Sequence, residues 1–379
     1  MYKPKTESIM RHLTLTLLFC ISFLSALFAG DPGDVNLKKG FVTGNPEIKS
    51  ISSMDFGPQN LLFIGDATSA SVIAVDMSGK SEEQSSEVNI KNVDKTLAMQ
   101  LGTTVDQIEI TDMAVHPGTK QIFLAVQHSS GKSMLFKVEG EKFVSVPLDE
   151  VSHSKQSLVD AVSEDAEDRR GRSLRQWAIS DLNYENGKIM LTGLSNKEFG
   201  STFRSITFPF TAEQSYGSLE IYHAAHGQYE TQSPVKTFMP ITLNDEPYII
   251  ASYTCTPLVV FPMSELQNGE HTKGRTVAEL GNWNTPLDII ELSNGDERFV
   301  LLANSSRALM KIKVNDIETF SDYLTSPVEE RSATDGVGFI ALPFVNVLQL
   351  AKMSDDTFAM LQRNSAGELV LSTGGNRWL

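Results

Sequence analysis

One strand-turn-strand unit, written six times along the chain, limits the fold more than any other feature. Its first copy runs from Ile51 to Asp76, ISSMDFGPQNLLFIGDATSASVIAVD. Ile51 to Phe56 reads as a strand, Gly57-Pro58-Gln59-Asn60 as a turn, Leu61 to Gly65 as a second strand, Asp66 to Ala70 as a loop, and Ser71 to Val75 as a third strand. The pattern returns at Ile110 (ITDMAVHPGTKQIFLAV), Ile179 (ISDLNYENGKIMLTGL), Phe238 (FMPITLNDEPYIIASY), Pro286 (PLDIIELSNGDERFVLLAN) and Val347 (VLQLAKMSDDTFAMLQ). The spacing is about 50 to 70 residues, the range of repeat architectures. Turns such as His116-Pro117-Gly118, Glu185-Asn186-Gly187 and Asn294-Gly295 join the pairs as hairpins require.

Each later pair is followed by a third strand, at Met134 to Val138, Phe203 to Phe208, Leu258 to Phe261, Ala308 to Val314 and Glu368 to Ser372. Fourth strands read at Val88 to Val93, Phe143 to Leu148, Leu219 to His223, Thr276 to Leu280 and Gly338 to Leu342. Four-stranded antiparallel sheets repeated six times make an all-β, six-bladed β-propeller. The last copy reaches the chain end at Leu379 with three strands, so Val35 to Val42 is expected to supply its fourth and close the ring, hiding edges an open array would expose. Two stretches break the strand pattern. Asp94 to Gln107 places Leu97, Leu101 and Val105 at helical spacing. Residues 153–176 set Leu158, Val159 and Val162 on one stripe before the charge run Glu164 to Arg172, and read as a surface helix and loop.

Residues 1–29 stand apart from the repeats. Lys3, Lys5 and Arg11 precede an apolar run, Leu13 to Ala29, that ends in small residues before Gly30-Asp31-Pro32. This is the pattern of a secretory signal peptide cleaved after Ala29. A retained membrane anchor is the alternative reading of so short a run. Phe19 before Cys20 is too bulky for a lipoprotein site. Cleavage would leave residues 30–379 as a single domain with no membrane span. It would remove three positive charges and one negative, taking the net charge from -15 to about -17, which argues against non-specific binding of nucleic acid or anionic lipid. Cys255 would be the one cysteine left, excluding an intramolecular disulfide. These features predict an exported protein, periplasmic, secreted or on a bacterial cell surface.

The units FIGDATSASVIAVD, ITDMAVHP and ISSMDFGP resemble, over residues 35 to 379, six-bladed propellers of the NHL-repeat and lactonase type. The chain differs from the Trp-Asp repeat class, since no blade ends in that dipeptide. It also lacks the docking tryptophans of quinoprotein dehydrogenases. The resemblance implies the fold and, for the lactonase branch, a metal at the channel mouth.

In a propeller the start of each innermost strand and the loop between second and third strands lie on one face. Alignment of the inner strands puts Ser53, Asp112, Asp181, Met239, Asp288 and Gln349 at one level. Converging carboxylates raise one another's pKa values unless a cation sits among them, and oxygen donors suit Ca²⁺ or Mg²⁺. Asp112, Asp181 and Asp288 are therefore candidate ligands of one divalent cation. The alternative is that each caps a backbone N–H of its own or the next blade. Met239 and the lack of a glutamate depart from the lactonase pattern.

A second ring at the ends of the second strands gives Asp66, Gln127 with His128, Leu194, Tyr253 with Cys255, Asn304 with Arg307, and Gln362 with Arg363. Trp177 and Trp283 fall on the same face. Aromatics, amides and arginines around an acidic channel make a candidate ligand or peptide surface. Taken singly, each residue also fits blade-to-blade bonding. Cys255 has no histidine partner visible in the sequence and reads as an inert thiol rather than a nucleophile or copper ligand. His223 and His226 in HAAHG, on an expected outer strand, are sent by alternation to opposite faces and do not read as a zinc site. These residues predict a binding or scaffold protein for an unidentified small ligand or protein partner. A metal-dependent hydrolase of the lactonase or esterase kind is the alternative, and an accessory subunit of an exported redox enzyme a further one.

Overall fold

The computed structural model describes residues 36–84, 87–330 and 332–379, so the expected signal peptide lies outside the described residues. Six antiparallel sheets surround a channel, and Gly40–Leu379 forms one compact unit. Blade I consists of Ser53–Gly57, Leu61–Asp66 and Ser71–Asp76, with Val151–Ser157 and Val42–Gly44 outside them. Blade II is Ile108–Val115, Ile122–His128, Ser133–Glu139 and Lys142–Val146. Blade III is Asp181–Glu185, Lys188–Leu194, Ser201–Thr207 and Ser215–His223, with Gln228–Glu230 as a further antiparallel strand and His271–Lys273 pairing in parallel. Blade IV is Val235–Leu243, Glu246–Tyr253, Pro257–Pro262 and Arg275–Glu279, edged by Asp335–Gly336. Blade V is Pro286–Asn294, Glu297–Asn304, Met310–Lys313 and Ile340–Ala341. Blade VI is Val347–Lys352, Thr357–Arg363, Leu369–Gly375 and Asn89–Ile90.

The hairpins close where the sequence offers residues that tolerate positive φ. Gln59-Asn60 (φ 55° and 58°), Asn186-Gly187 (50° and 78°) and Asn244-Asp245 (49° and 65°) have the paired left-handed conformations of type I′ turns. Second strands are apolar through their middle because each is flanked in its own sheet and covered on both faces. Every residue of Leu61–Asp66 is buried.

Contacts between inner strands show that the blades do not follow chain order. Ser53–Gly57 of blade I lies between Ile108–Val115 of blade II and Asp181–Glu185 of blade III, while blade II also borders blade VI. The ring order is II-I-III-IV-V-VI. The cores agree. Phe56 and Met54 pack with Phe123 and Leu135 between I and II, and Phe63 stacks on Tyr184 at 4.8 Å between I and III. Leu97, Met113, Leu124 and Leu371 share one cluster between II and VI.

This order corrects three expectations. The N-terminal strand does not close the last sheet: Val42–Gly44 pairs with Val151–Ser157, Val42 opposite His153. The last sheet instead receives Asn89–Ile90, with Ile90 opposite Leu371, so Val88 to Val93 does not complete blade I. The reason lies in burial: Val42 is 59% exposed, whereas Val88 and Ile90 are buried between blades II and VI. The third correction concerns residues 153–176. Val151–Ser157 is the fourth strand of blade I, Val151 and His153 being buried, and in the rest only Arg175–Trp177 is a single 3-10 turn. The fully paired register from Ser71↔Ser157 to Val75↔His153 covers an edge that would otherwise be open, which outweighs local helix preference. The helical stretch at Asp94 to Gln107 comprises Val93–Gln100 and a 3-10 turn, Val105–Gln107. Val93 and Leu97 face the II/VI core.

Candidate functional site

Asp112, Asp181 and Asp288 do line the channel, with Ser53, Asn183 and a fourth carboxylate, Asp55, around a cavity of about 170 Å³. Each carboxylate accepts the N–H of the residue after it: Phe56, Met113, Leu182 and Ile289, at 2.7–2.8 Å. Each also takes an inner-strand amide of the next blade. Met54 N donates to Asp112 at 2.5 Å, Tyr184 N to Asp55 at 2.8 Å, Phe238 N to Asp181 at 2.8 Å, and Leu350 N to Asp288 at 2.6 Å. Asp181 also accepts the hydroxyls of Ser53 and Thr237, both at 3.1 Å. Gln349 continues the sense by donating to Thr111 O at 3.3 Å, and Met239 carries no such group on the IV/V side. The carboxylates tie blade to blade in one direction around the ring.

Enclosure by protein raises all four, against the lowering effect of the backbone bonds. Asp181 is pushed up to about 6, Asp55 to about 7 and Asp288 to about 8, the latter two also by the Asp181 charge. Asp112 lies well above the carboxylate range, through burial and then the charges of Asp288 and Asp181. The metal expected from the lactonase resemblance would have to share these carboxylates with the backbone amides they accept. Their oxygens serve the blades, and among the described residues the set of three metal-ligating side chains whose donor atoms all lie within 4.8 Å of one another is a different one, His223, His226 and Cys255.

The second ring divides. Asp66 is fully buried and pins its loop, accepting Lys49 N at 2.8 Å, Ser50 N at 3.1 Å and Ser69 N at 3.0 Å. Asn304 is buried and bonded to Asn284 and Leu302 O, each at 2.9 Å. Arg363 pairs with Asp94 at 3.0 Å, fixing the Val93–Gln100 helix to blade VI. Gln127 holds the Ser133 hydroxyl. Arg307 lies against Gly281 (φ +99°), where a side chain would meet its guanidinium. Tyr253 is buried with its hydroxyl unpartnered.

Trp177, Cys255 and Trp283 remain; Trp177 lines a cleft that reaches Thr254 and Thr285, the chain neighbours of the Cys255 and Trp283 loops. This cleft of about 450 Å³ has a mixed lining, in which Trp177, Leu174, Leu194, Pro234 and Lys236 stand beside Asp168, Arg172 and several serine and glutamine side chains. The Lys236 ammonium lies 3.6 Å from the Trp177 ring centre, and burial lowers it to about 8. Asp168, on the same cleft, pairs with Arg172 at 2.6 Å, and among the described residues no charged group joins burial in shifting Lys236. Beside the cleft Trp283 is 75% exposed at φ 56°. Cys255 stands at φ 67°, its N–H donating to Asn284 O at 2.8 Å. Burial pushes its thiol up, opposite to what an activated nucleophile needs.

Sequence reasoning missed Asp55, Lys236 and the grouping of Cys255 with His223 and His226. Asp55 shares a strand face with Ser53, so alternation could have found it. The histidines were set apart because both were placed on a strand. The strand ends at His223, and His226 lies in the turn that Gly227 N closes onto His223 O at 2.8 Å. No pattern in the sequence announces the approach of the Cys255 loop.

The sheets, their order and their shared channel define the class, a six-bladed β-propeller. Among the described residues no helix is long and apolar enough to cross a membrane. No protein-family model matches the sequence, and no curated protein matches it. Among solved structures, a chain of the mitotic checkpoint complex overlaps with a TM-score of 0.32 and 8% identity, over 88% of this chain and 94% of that one. Raptor from Chaetomium thermophilum overlaps with a TM-score of 0.32 and 10% identity, over 89% of this chain and 29% of that one. Overlaps this weak carry nothing further for this chain.

Proposed function

We propose that this propeller is a binding scaffold whose recognition surface is the cleft between blades III and IV on the channel-mouth face. The observation that supports it is the Lys236 ammonium stacked on Trp177 with no charged group, among the described residues, joining burial in shifting it. A partly desolvated cation over an aromatic ring is suited to an anionic group, and the mixed apolar and polar walls, Leu174, Leu194 and Pro234 beside Ser173, Gln176 and Gln232, to the body that carries it. The occupant is a small carboxylate- or phosphate-bearing ligand, or an acidic side chain of a partner protein. Trp283, exposed beside the cleft, adds the kind of aromatic anchor on which interfaces depend. Hydrolysis of the lactonase kind would need free channel carboxylates, and theirs are engaged by backbone amides. The proposal includes export, with residues 1–29 removed, which N-terminal sequencing of the native protein checks.

The cleft is tested by thermal-shift screening of the full chain against small mono- and dicarboxylates and phosphate esters, alongside Lys236→Met. A shift lost in Lys236→Met supports the reading. A shift that survives the substitution places recognition elsewhere and overturns it.

A further inference from the structure

We infer that His223, His226 and Cys255, completed by Glu279, form a zinc-class transition-metal site at the outer edge of blade III, where it meets blade IV. The inference is independent of the binding reading and rests on how four side chains from three stretches of chain are held.

His223 ends the outer strand Ser215–His223, and His226 follows in the tight turn before Gln228–Glu230. One carboxylate orients both rings: His223 Nδ1 meets Glu230 Oε2 at 3.1 Å and His226 Nδ1 meets Glu230 Oε1 at 2.6 Å. Ser233 donates to the same carboxylate at 2.9 Å. The rings lie 3.9 Å apart, centre to centre. A carboxylate on Nδ1 fixes the tautomer that carries its proton there and leaves Nε2 as a lone-pair donor, the usual outer support of a metal-bound histidine. The Cys255 loop, from between the second and third strands of blade IV, brings its thiol within 4.8 Å of the histidine donors.

Two atoms lack the partners that burial demands. His223 is 1% exposed and Glu279 is 0% exposed, yet among the described residues His223 Nε2 and Glu279 Oε1 have no hydrogen-bond partner. They stand 3.9 Å apart. The other Glu279 oxygen is held, accepting Ala225 N at 3.2 Å from within the HAAHG turn. An isolated buried carboxylate oxygen beside an unpaired imidazole nitrogen is costly, and a cation bound to both removes the cost.

The donor set selects the ion. Two imidazoles, a thiolate and a carboxylate suit zinc over calcium or magnesium, which take oxygen ligands. Zinc bonds of about 2.0–2.3 Å hold tetrahedral donors roughly 3.3–3.7 Å apart, so the 4.8 Å spread of the His223, His226 and Cys255 donors closes by about 1 Å, and Glu279 Oε1 starts 3.9 Å from His223 Nε2. Binding forms an S–Zn bond and releases the thiol proton to solvent. With Glu279 ionised, the two negative ligands neutralise the ion.

The test titrates the metal-stripped full chain with Zn²⁺ and, as a spectroscopic probe, Co²⁺. One equivalent of zinc is expected, with a cobalt spectrum showing thiolate charge transfer. Cys255→Ser should lose that band. His226→Ala, at a partly exposed position that spares the core, should weaken zinc at least as much as the 10–100-fold typical of losing an outer support, the loss expected for Glu230→Gln. Asp181→Asn should leave zinc binding unchanged. Circular dichroism confirms that each variant is folded. The inference is overturned by less than stoichiometric zinc in the wild type, by unchanged affinity in His226→Ala, or by loss of binding in Asp181→Asn instead.

Discussion

The channel carboxylates and the cluster around Glu279 lie on one face of the same propeller, and their acceptor atoms are used in opposite ways. Asp55, Asp112, Asp181 and Asp288 each accept an amide from their own strand and another from the next blade. Glu279 has one oxygen tied to the HAAHG turn and one left bare against His223. Acidic residues crowded in a channel attract a functional reading, but here their number is explained by the blades they join. A single unpartnered oxygen, buried beside an unpartnered nitrogen, is the better pointer to a ligand because nothing among the described residues satisfies it.

The contrast breaks most readily at Asp181. Asp181→Ala strands the amides of Leu182 and Phe238, and at about 1–3 kcal/mol for each buried unsatisfied group the loss should reach about 3 kcal/mol in chemical denaturation. A loss near that of an ordinary surface substitution, about 0.5 kcal/mol or less, would show that the carboxylates do not join the blades. Zinc supplies the opposite arm. At a hundredfold excess over its dissociation constant it should stabilise the wild type by about 2.7 kcal/mol and His226→Ala by far less, read as a shift of the denaturation midpoint.

A smaller effect follows from pH. Asp181, Asp55 and Asp288, raised to about 6, 7 and 8, hold protons in the folded state that the unfolded chain releases at the usual carboxylate pKa. Their stabilisation is full below about pH 4 and is lost as pH rises through about 6 to 8, so the melting temperature should fall between about pH 4 and 8 and level off above. Asp288→Asn keeps an acceptor for the Leu350 amide and should flatten the upper part of that fall. An unchanged profile would show that Asp288 is ionised throughout. The smallest change is expected at Trp283, 75% exposed. Trp283→Ala should leave stability within about 0.5 kcal/mol while weakening any ligand or partner captured at the cleft, measured by thermal shift or pull-down.

The repeats were legible because each hairpin carries its own pattern: apolar second strands such as Leu61–Asp66, and turn residues such as Asn186-Gly187 that suit positive φ. Which sheet a fourth strand joins was not, because Asn89–Ile90 and Val151–Ser157 say nothing locally about the edge they cover. The same limit applied to chemistry. Alternation located Asp112, Asp181 and Asp288 on the channel wall, but their bonds reach residues 57 to 62 positions away in sequence, in a different blade. His223 and Cys255 meet through the packing of two blades, a contact that no spacing rule encodes.

The insertion of blade I between blades II and III also sets a timetable for synthesis. The three strands that end at Asp76 wait for Val151–Ser157 to leave the ribosome before their sheet is covered. Asn89–Ile90 waits far longer, until Leu371 and Ser372 arrive to pair with it. Blade II is built from one continuous run, and the four main strands of blades III, IV and V each follow in chain order, with only the edge additions His271–Lys273 and Asp335–Gly336 arriving later. The two early segments stay exposed while the rest is made, and long-range pairing of this kind is slow and open to aggregation. A nascent chain stalled short of residue 157 should therefore hold its first three strands unshielded, making that interval the one in which a chaperone has most to offer.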